Sequence, residues 1–296
     1  MPLKLITDSG CDFPYSYIKE NNMGYLGVYT KLDGKEFEDD LGKTFSYKDF
    51  FGAMRNGSKP TTSLITSQRF YELFEETIKE GYSILYIGLS TGLTNTVFNA
   101  NFAKNDILEK YPNANITIVD SKAASAGFAL CVYIANEMIK KGKNAIEIAS
   151  YLEKNVDRIS HFFTVDDLVY LKRGGRVSST SAVVGSLLNI KPVLYVNPEG
   201  KLVPLLKVKG RKKAIHTLCD LTLKYIESPE DQTLFICHAD CEDEANLLKS
   251  LVQEKLKVKD IIISQLGATI GTHAGPGTLV ITFLGKNREF VIKNTK

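Results

Sequence analysis

Three short apolar runs each end on a side chain that can hydrogen-bond: "LKLITD" (3–8), "YSILYIGLS" (82–90) and "NITIVDS" (115–121). Runs this short and this continuously apolar read as strands buried on both faces, which is the condition of a parallel sheet covered by helices. The segments between them, "SQRFYELFEETIKEG" (67–81) and "TNTVFNANFAKNDILEKY" (94–111), carry apolar residues at helical spacing. Ser67, Thr94 and Asn95 stand where helix N-caps are expected. The first part of the chain is thus expected to be a doubly wound α/β layer.

Past Asp120, helical stretches at about 124–141 and 144–158 precede a change of texture. "KPVLYVNPEGKLVPLLKVKG" (191–210) reads as a hairpin about its Asn-Pro-Glu-Gly turn. The helix "RKKAIHTLCDLTLKYIE", the strand "TLFICHA", the helix "EDEANLLKSLVQEKL" and the strand "DIIISQLG" follow, and "TLVITFLG" and "REFVIK" read as two closing strands of a mixed sheet. The expected fold class is α/β: an N-terminal parallel-sheet α/β domain over 1–160, then a C-terminal α+β domain with a mixed sheet over 161–296. A ligand is expected in the crevice beyond the carboxyl ends of the parallel strands, where α/β sheets bind.

Composition closes several alternatives. A net charge of +3 from 37 basic and 34 acidic residues gives no nucleic-acid signature. No apolar stretch nears the roughly 20 residues of a spanning helix, so no stable membrane insertion is expected. Five scattered cysteines and a start without a charged region followed by an apolar one point to a reducing, cytoplasmic setting. "CHADC" (237–241) matches no usual zinc spacing, and no metal site is expected.

Hydroxyls gather at the expected strand ends and in the loop "KPTTSLITS": Thr61, Thr62 and Ser63, then Ser90, Thr91, Thr94 and Thr96, then Ser121 and Ser125. Together with helix N-terminal amides, neutral donors of this kind hold a carboxylate or phosphate without a tight ion pair. Asp8 and Asp120 are expected to be structural. Of the four histidines, His161, His216 and His238 fit strand or helix interiors, whereas His273 stands in the glycine-rich "GATIGTHAGPG" (267–277), a flexible setting that permits close backbone approach. No nucleophile elbow and no phosphate loop accompany it. In "RGGRVSS", Arg173 suits a helix C-terminus, and Arg176 would pair with Asp166 or Asp167 or face an anion. "TSAVVGSLLNI" (180–190) is apolar all round, and so is core or cavity wall. "VKGRKKAI" (208–215) concentrates basic side chains and reads as a solvated face or docking patch.

Seven pieces in order, "DSGCD" (8–12), "PTTS" (60–63), "STGLTNT" (90–96), "DSKAASAG" (120–127), "LVYLKRGGRVS" (168–178), "GRKKA" (210–214) and "IGTHAGPG" (270–277), resemble the DegV family across essentially the whole chain. The resemblance implies a long-chain fatty acid held between the two domains and a carrier, not a free-standing enzyme. That carrier would be the fatty-acid-binding subunit of a bacterial fatty acid kinase, presenting the carboxylate to a separate ATP-binding subunit for an acyl phosphate that feeds phospholipid synthesis. It places carboxylate binding on Thr62 and on Thr94, where this chain reads "LTNT" instead of Leu-Ser-Gly-Thr, with His273, Arg176, Ser63 and Thr61 in support. Val184, Leu187 and Leu188 become tunnel-lining candidates, and Arg211 and Lys212 kinase-docking candidates. No catalytic residue and no cofactor beyond the bound fatty acid are implied. Two alternatives stay open: a small hydrolase or phosphotransferase using His273, and a fatty-acid sensor without a kinase.

Overall fold

The computed structural model describes residues 1–177 and 189–295. In its first part lie β1 (Leu3–Asp8), β2 (Gly24–Leu26), β3 (Tyr29–Leu32), β4 (Lys35–Glu38), β5 (Thr61–Thr62), β6 (Ser83–Gly88) and β7 (Ile116–Asp120). A four-stranded sheet runs in the order β2-β1-β6-β7 with every pairing parallel, and a small antiparallel sheet runs β4-β3-β5. Leu5, Ile6 and Ile84 to Ile87 are buried, as their unbroken apolarity requires. The helices Ser67–Lys79 and Thr96–Lys110 cover one face through Phe70, Phe74, Ala100, Ala103 and Ile107. The first is capped by Thr66, whose hydroxyl accepts from the Arg69 amide, one residue before the expected Ser67. Asn95 holds the N-cap position of the second without a side-chain bond.

The second part contributes β8 (Ile159–Thr164), β9 (Ile190–Val196), β10 (Leu202–Lys209), β11 (Thr233–His238), β12 (Asp260–Gln265) and β13 (Leu279–Leu284), in the order β10-β9-β8-β13-β11-β12. Only β11 and β12 pair in parallel, so the sheet is mixed. The hairpin turns at Asn197, whose side-chain oxygen accepts from the Lys201 amide. "REFVIK" is a correction: Arg288–Thr295 is a helix. Its buried positions are Arg288 and Val291, at helical spacing, while Phe290 is half exposed. The Arg288 guanidinium, fully buried, donates to the carbonyls of Ile159, Lys122 and Asn197.

The helix Ser125–Lys140 packs on β1 and β6 on one side and on β8, β11 and β13 on the other. Its near-complete burial from Ser125 to Val132 follows from that position. One core, containing Leu5 and Ile87 as well as Phe163, Phe235 and Val280, therefore runs from sheet to sheet.

Candidate functional site

The short helix Ala268–Ala274 bridges the two parts of the molecule and carries His273 in its last turn. The expected flexible loop is thus a correction: the segment is helical through Ala274, and glycine freedom is used just beyond, at Gly275 with φ +83° and Gly277 with φ +76°. The N-terminal amides of this helix are held by carboxylates of the first part. Asp12 accepts from the Gly267 amide at 2.8 Å, and Asp39 accepts from the Thr269 amide at 2.7 Å and from the Thr269 hydroxyl at 2.6 Å. Tyr47 donates to the other oxygen of Asp39, and Ser9 shares a hydrogen bond with Thr269. Burial raises both Asp12 and Asp39 above the ordinary carboxylate range.

From that anchorage, Nε2 of His273 meets Oγ1 of Thr62 at 2.8 Å. Thr62 is presented by β5, which pairs with β3 at Thr30. Successive strand residues face opposite ways. Thr61 accordingly faces solvent and lies outside the cavity. Nδ1 of His273 is buried without a hydrogen-bond partner, close against the glycine turn that follows the helix Val169–Arg173. A Cβ on Gly174 would stand 2.3 Å from that nitrogen, so the absence of a side chain there is what lets the ring reach Thr62.

Arg176 follows on the same turn, donates to the Gly174 carbonyl and borders the cavity. Neither expected partner takes it: Asp166 pairs with Lys191, and Asp167 accepts from the Val169 amide. No carboxylate pairs with Arg176 among the described residues, which leaves a half-buried cation facing the cavity.

The cavity has a volume of about 150 Å³. Thr62, Ser63, Thr94, Thr96, Arg176 and His273 supply polar groups, and Val28, Leu64, Leu89, Leu93, Phe163, Leu171, Leu202, Ile270 and Val280 supply the apolar wall. Thr94 bonds the Thr96 hydroxyl at 3.0 Å. The structure thus brings Thr62, Ser63, Thr94, Arg176 and His273 into one cavity and leaves Thr61 outside it. Val184, Leu187 and Leu188 lie outside the described residues. Arg211 donates to Glu244 and to the Gly277 carbonyl, so it fastens the turn after His273, while Lys212 is exposed.

Asp8 and Asp120 are structural as expected. Asp8 accepts from the Gly10 amide and the Tyr86 hydroxyl, and Asp120 from the Thr91 and Lys122 amides. Sequence reasoning missed Asp39 and Thr269, which carry the helix of His273. It also set aside His161, which is buried and lines the cavity.

His273 is pulled down to about 4, first by burial and then by the charge of Arg176. Between about pH 4 and the ordinary 6.5 the unfolded chain binds more protons at this ring than the folded one. The neutral buried ring therefore adds stability as pH rises through that window, and the gain is lost on acidification. Replacing His273 by Asn removes this titration. Urea midpoints across the window are expected to fall less steeply on acidification in His273→Asn than in the wild type, and equal slopes would count against the buried neutral ring.

Comparison with known proteins places the site in a lineage. A family model described as "Uncharacterised protein, DegV family" matches residues 2–286. A DegV domain-containing protein of Clostridium perfringens is 46% identical over 285 residues, covering 96% of this chain and 98% of its own. A DegV family protein from Thermus thermophilus, whose structure is described by its fatty acid binding, has a TM-score of 0.87 at 28% identity, covering 97% of this chain and all of that one. The fatty acid kinase B3 protein of Streptococcus pneumoniae, loaded with linoleic acid, has a TM-score of 0.83 at 21% identity over 97% of this chain and all of that one, a likeness of fold alone.

Proposed function

The chain belongs to the DegV family, and from that premise we propose that it binds a long-chain fatty acid in the cavity, carboxylate outward, and presents it to a separate ATP-binding kinase subunit. The observation that carries the reading is the Thr62–His273 hydrogen bond beside Arg176, which pairs with no carboxylate among the described residues, in a cavity whose wall is otherwise largely apolar. With its proton on Nε2, the ring donates to Thr62 and leaves the Thr62 hydroxyl proton for a carboxylate oxygen. Thr94 offers a second hydroxyl, and Arg176 supplies positive charge. A hydrogen bond to a charged group contributes about 1.5–3 kcal/mol. About 14 buried methylenes at roughly 0.8 kcal/mol each offer a gross gain near 11 kcal/mol. The tail sets affinity and the head sets orientation.

Phosphoryl transfer needs one carboxylate oxygen within reach of a nucleotide, which a head near solvent provides. Leu64, next to Ser63 in the cavity wall, is 45% exposed, so this end of the cavity adjoins the surface. The product is an acyl phosphate, fit for acyl transfer into phospholipid. Lys212 and its exposed neighbour Lys213, on the helix Arg211–Tyr225, are the docking candidates that remain once Arg211 is committed to Glu244. A cytoplasmic carrier fits a chain in which no described helix is long and apolar enough to cross a membrane.

The hydrolase alternative asks His273 to take a proton from a nucleophile and hold it as imidazolium. A buried ring beside Arg176, with no carboxylate on Nδ1, opposes that charge. The sensor alternative shares the cavity and differs only in lacking a kinase.

Organic extracts of the purified protein, measured by mass spectrometry, are expected to contain a stoichiometric long-chain fatty acid. Thr62→Val should retain the acid but lower kinase-dependent phosphorylation by about tenfold or more, because one charged hydrogen bond is lost while the tail still binds. A protein that carries no fatty acid and takes up none when offered would end the reading.

A further inference from the structure

His161 is a polar group set into the apolar length of the cavity. On β8 and β13 the facing pairs are Phe163 with Val280 and, one rung further, His161 with Thr282. Phe163, Val280 and His161 all line the cavity. Thr278, at the near end, bonds the carbonyls of Ala274 and Gly275 just after His273. Thr278 and Thr282 are four positions apart, so His161, which faces Thr282, lies roughly 13 Å along the sheet from the turn that follows His273. The ring is 3% exposed, and among the described residues neither its buried Nδ1 nor the hydroxyl of the facing Thr282 has a hydrogen-bond partner. Nδ1 rests over Gly127, where a Cβ would come within 2.7 Å.

A polar ring in the cavity wall without a partner among the described residues is a cost that a plain hydrocarbon tail cannot relieve. We propose that His161 forms a subsite for a hydroxyl group carried about mid-chain, so that the preferred ligand is an oxygenated long-chain fatty acid. A hydroxyl suits the ring because it can donate to the bare nitrogen of a neutral imidazole or accept from the protonated one. Burial, aided by the charge of Arg288, pulls His161 down to about 3 and keeps it neutral.

This inference rests on the fatty-acid reading above, and one experiment separates the two. Ricinoleic and oleic acids, which differ by a single mid-chain hydroxyl, are titrated against the delipidated protein with a bound fluorescent fatty acid as the displaced probe. Ricinoleic acid is expected to bind about tenfold more tightly, and His161→Leu to abolish that preference while keeping oleic acid affinity. Equal or tighter binding of oleic acid by the wild type overturns the subsite and leaves the fatty-acid reading standing, and the wild-type comparison decides this even if the variant fails to fold. A preference that persists in His161→Leu also overturns it. Failure of both acids to bind removes the fatty-acid reading and the subsite together.

Discussion

Val280→Trp is expected to yield a folded protein whose long-chain fatty acid affinity is at least about a hundredfold weaker than that of the wild type. Val280 is buried in the central strand β13, faces Phe163 on β8, and points into the cavity. An indole there fills space meant for the tail beyond the head of the site. Excluding even four methylenes forfeits about 3 kcal/mol, which is about a hundredfold in affinity. Overpacking costs roughly 1–3 kcal/mol where a core is already full, and the cavity beside Val280 gives the ring somewhere to go. Displacement of a bound fluorescent fatty acid reads the affinity, and thermal melting of the delipidated protein reads the fold. Unchanged affinity in a folded variant would mean that the tail runs elsewhere.

Arg288→Ala is expected to lower stability by about 3–5 kcal/mol. Its guanidinium is fully buried and serves the carbonyls of Ile159, Lys122 and Asn197. Those three acceptors come from the strand β8, from the loop after β7 and from the β9–β10 turn, so one side chain ties both sheets to the closing helix. Truncation leaves three carbonyls short of a donor, each lost bond costing roughly 1–3 kcal/mol, and opens a void. Burial lowers the pKa of this group from its usual value. A neutral methionine of similar length should therefore recover part of the loss through packing alone. Urea unfolding of the three proteins measures both effects, and a change below about 1 kcal/mol for Arg288→Ala would show that the carbonyls find other donors.

How much of this was legible can be followed residue by residue. The parallel sheet was readable because β1, β6 and β7 are apolar on both faces, and burial on both faces leaves no other arrangement for strands separated by amphipathic helices. The β9–β10 hairpin was readable from its turn residues. "REFVIK" was misread because its alternation of apolar residues mimics a strand, whereas the decisive interaction, burial of Arg288 under distant carbonyls, has no local signature. His273 was singled out for its isolation among glycines, yet its helical setting depends on Asp12 and Asp39, more than 200 residues earlier in the chain. Arg211 looked like part of a free basic patch until Glu244 and Gly277 were seen beside it.

Local sequence by itself determined the periodicities, the caps and turns, and therefore the α/β class and the places where hydroxyls end strands. It also held the residues of the proposed carboxylate site, Thr62, Thr94, Arg176 and His273, which the family resemblance picked out. Only the tertiary structure decided that Thr62 and His273 share a hydrogen bond, that Thr61 faces away, and that His161 stands unpartnered within an apolar cavity. The reason is physical. Periodicity and capping are short-range properties fixed by a few neighbouring side chains, whereas a site is a set of long-range distances that exist only after the two sheets have closed on the helix Ser125–Lys140.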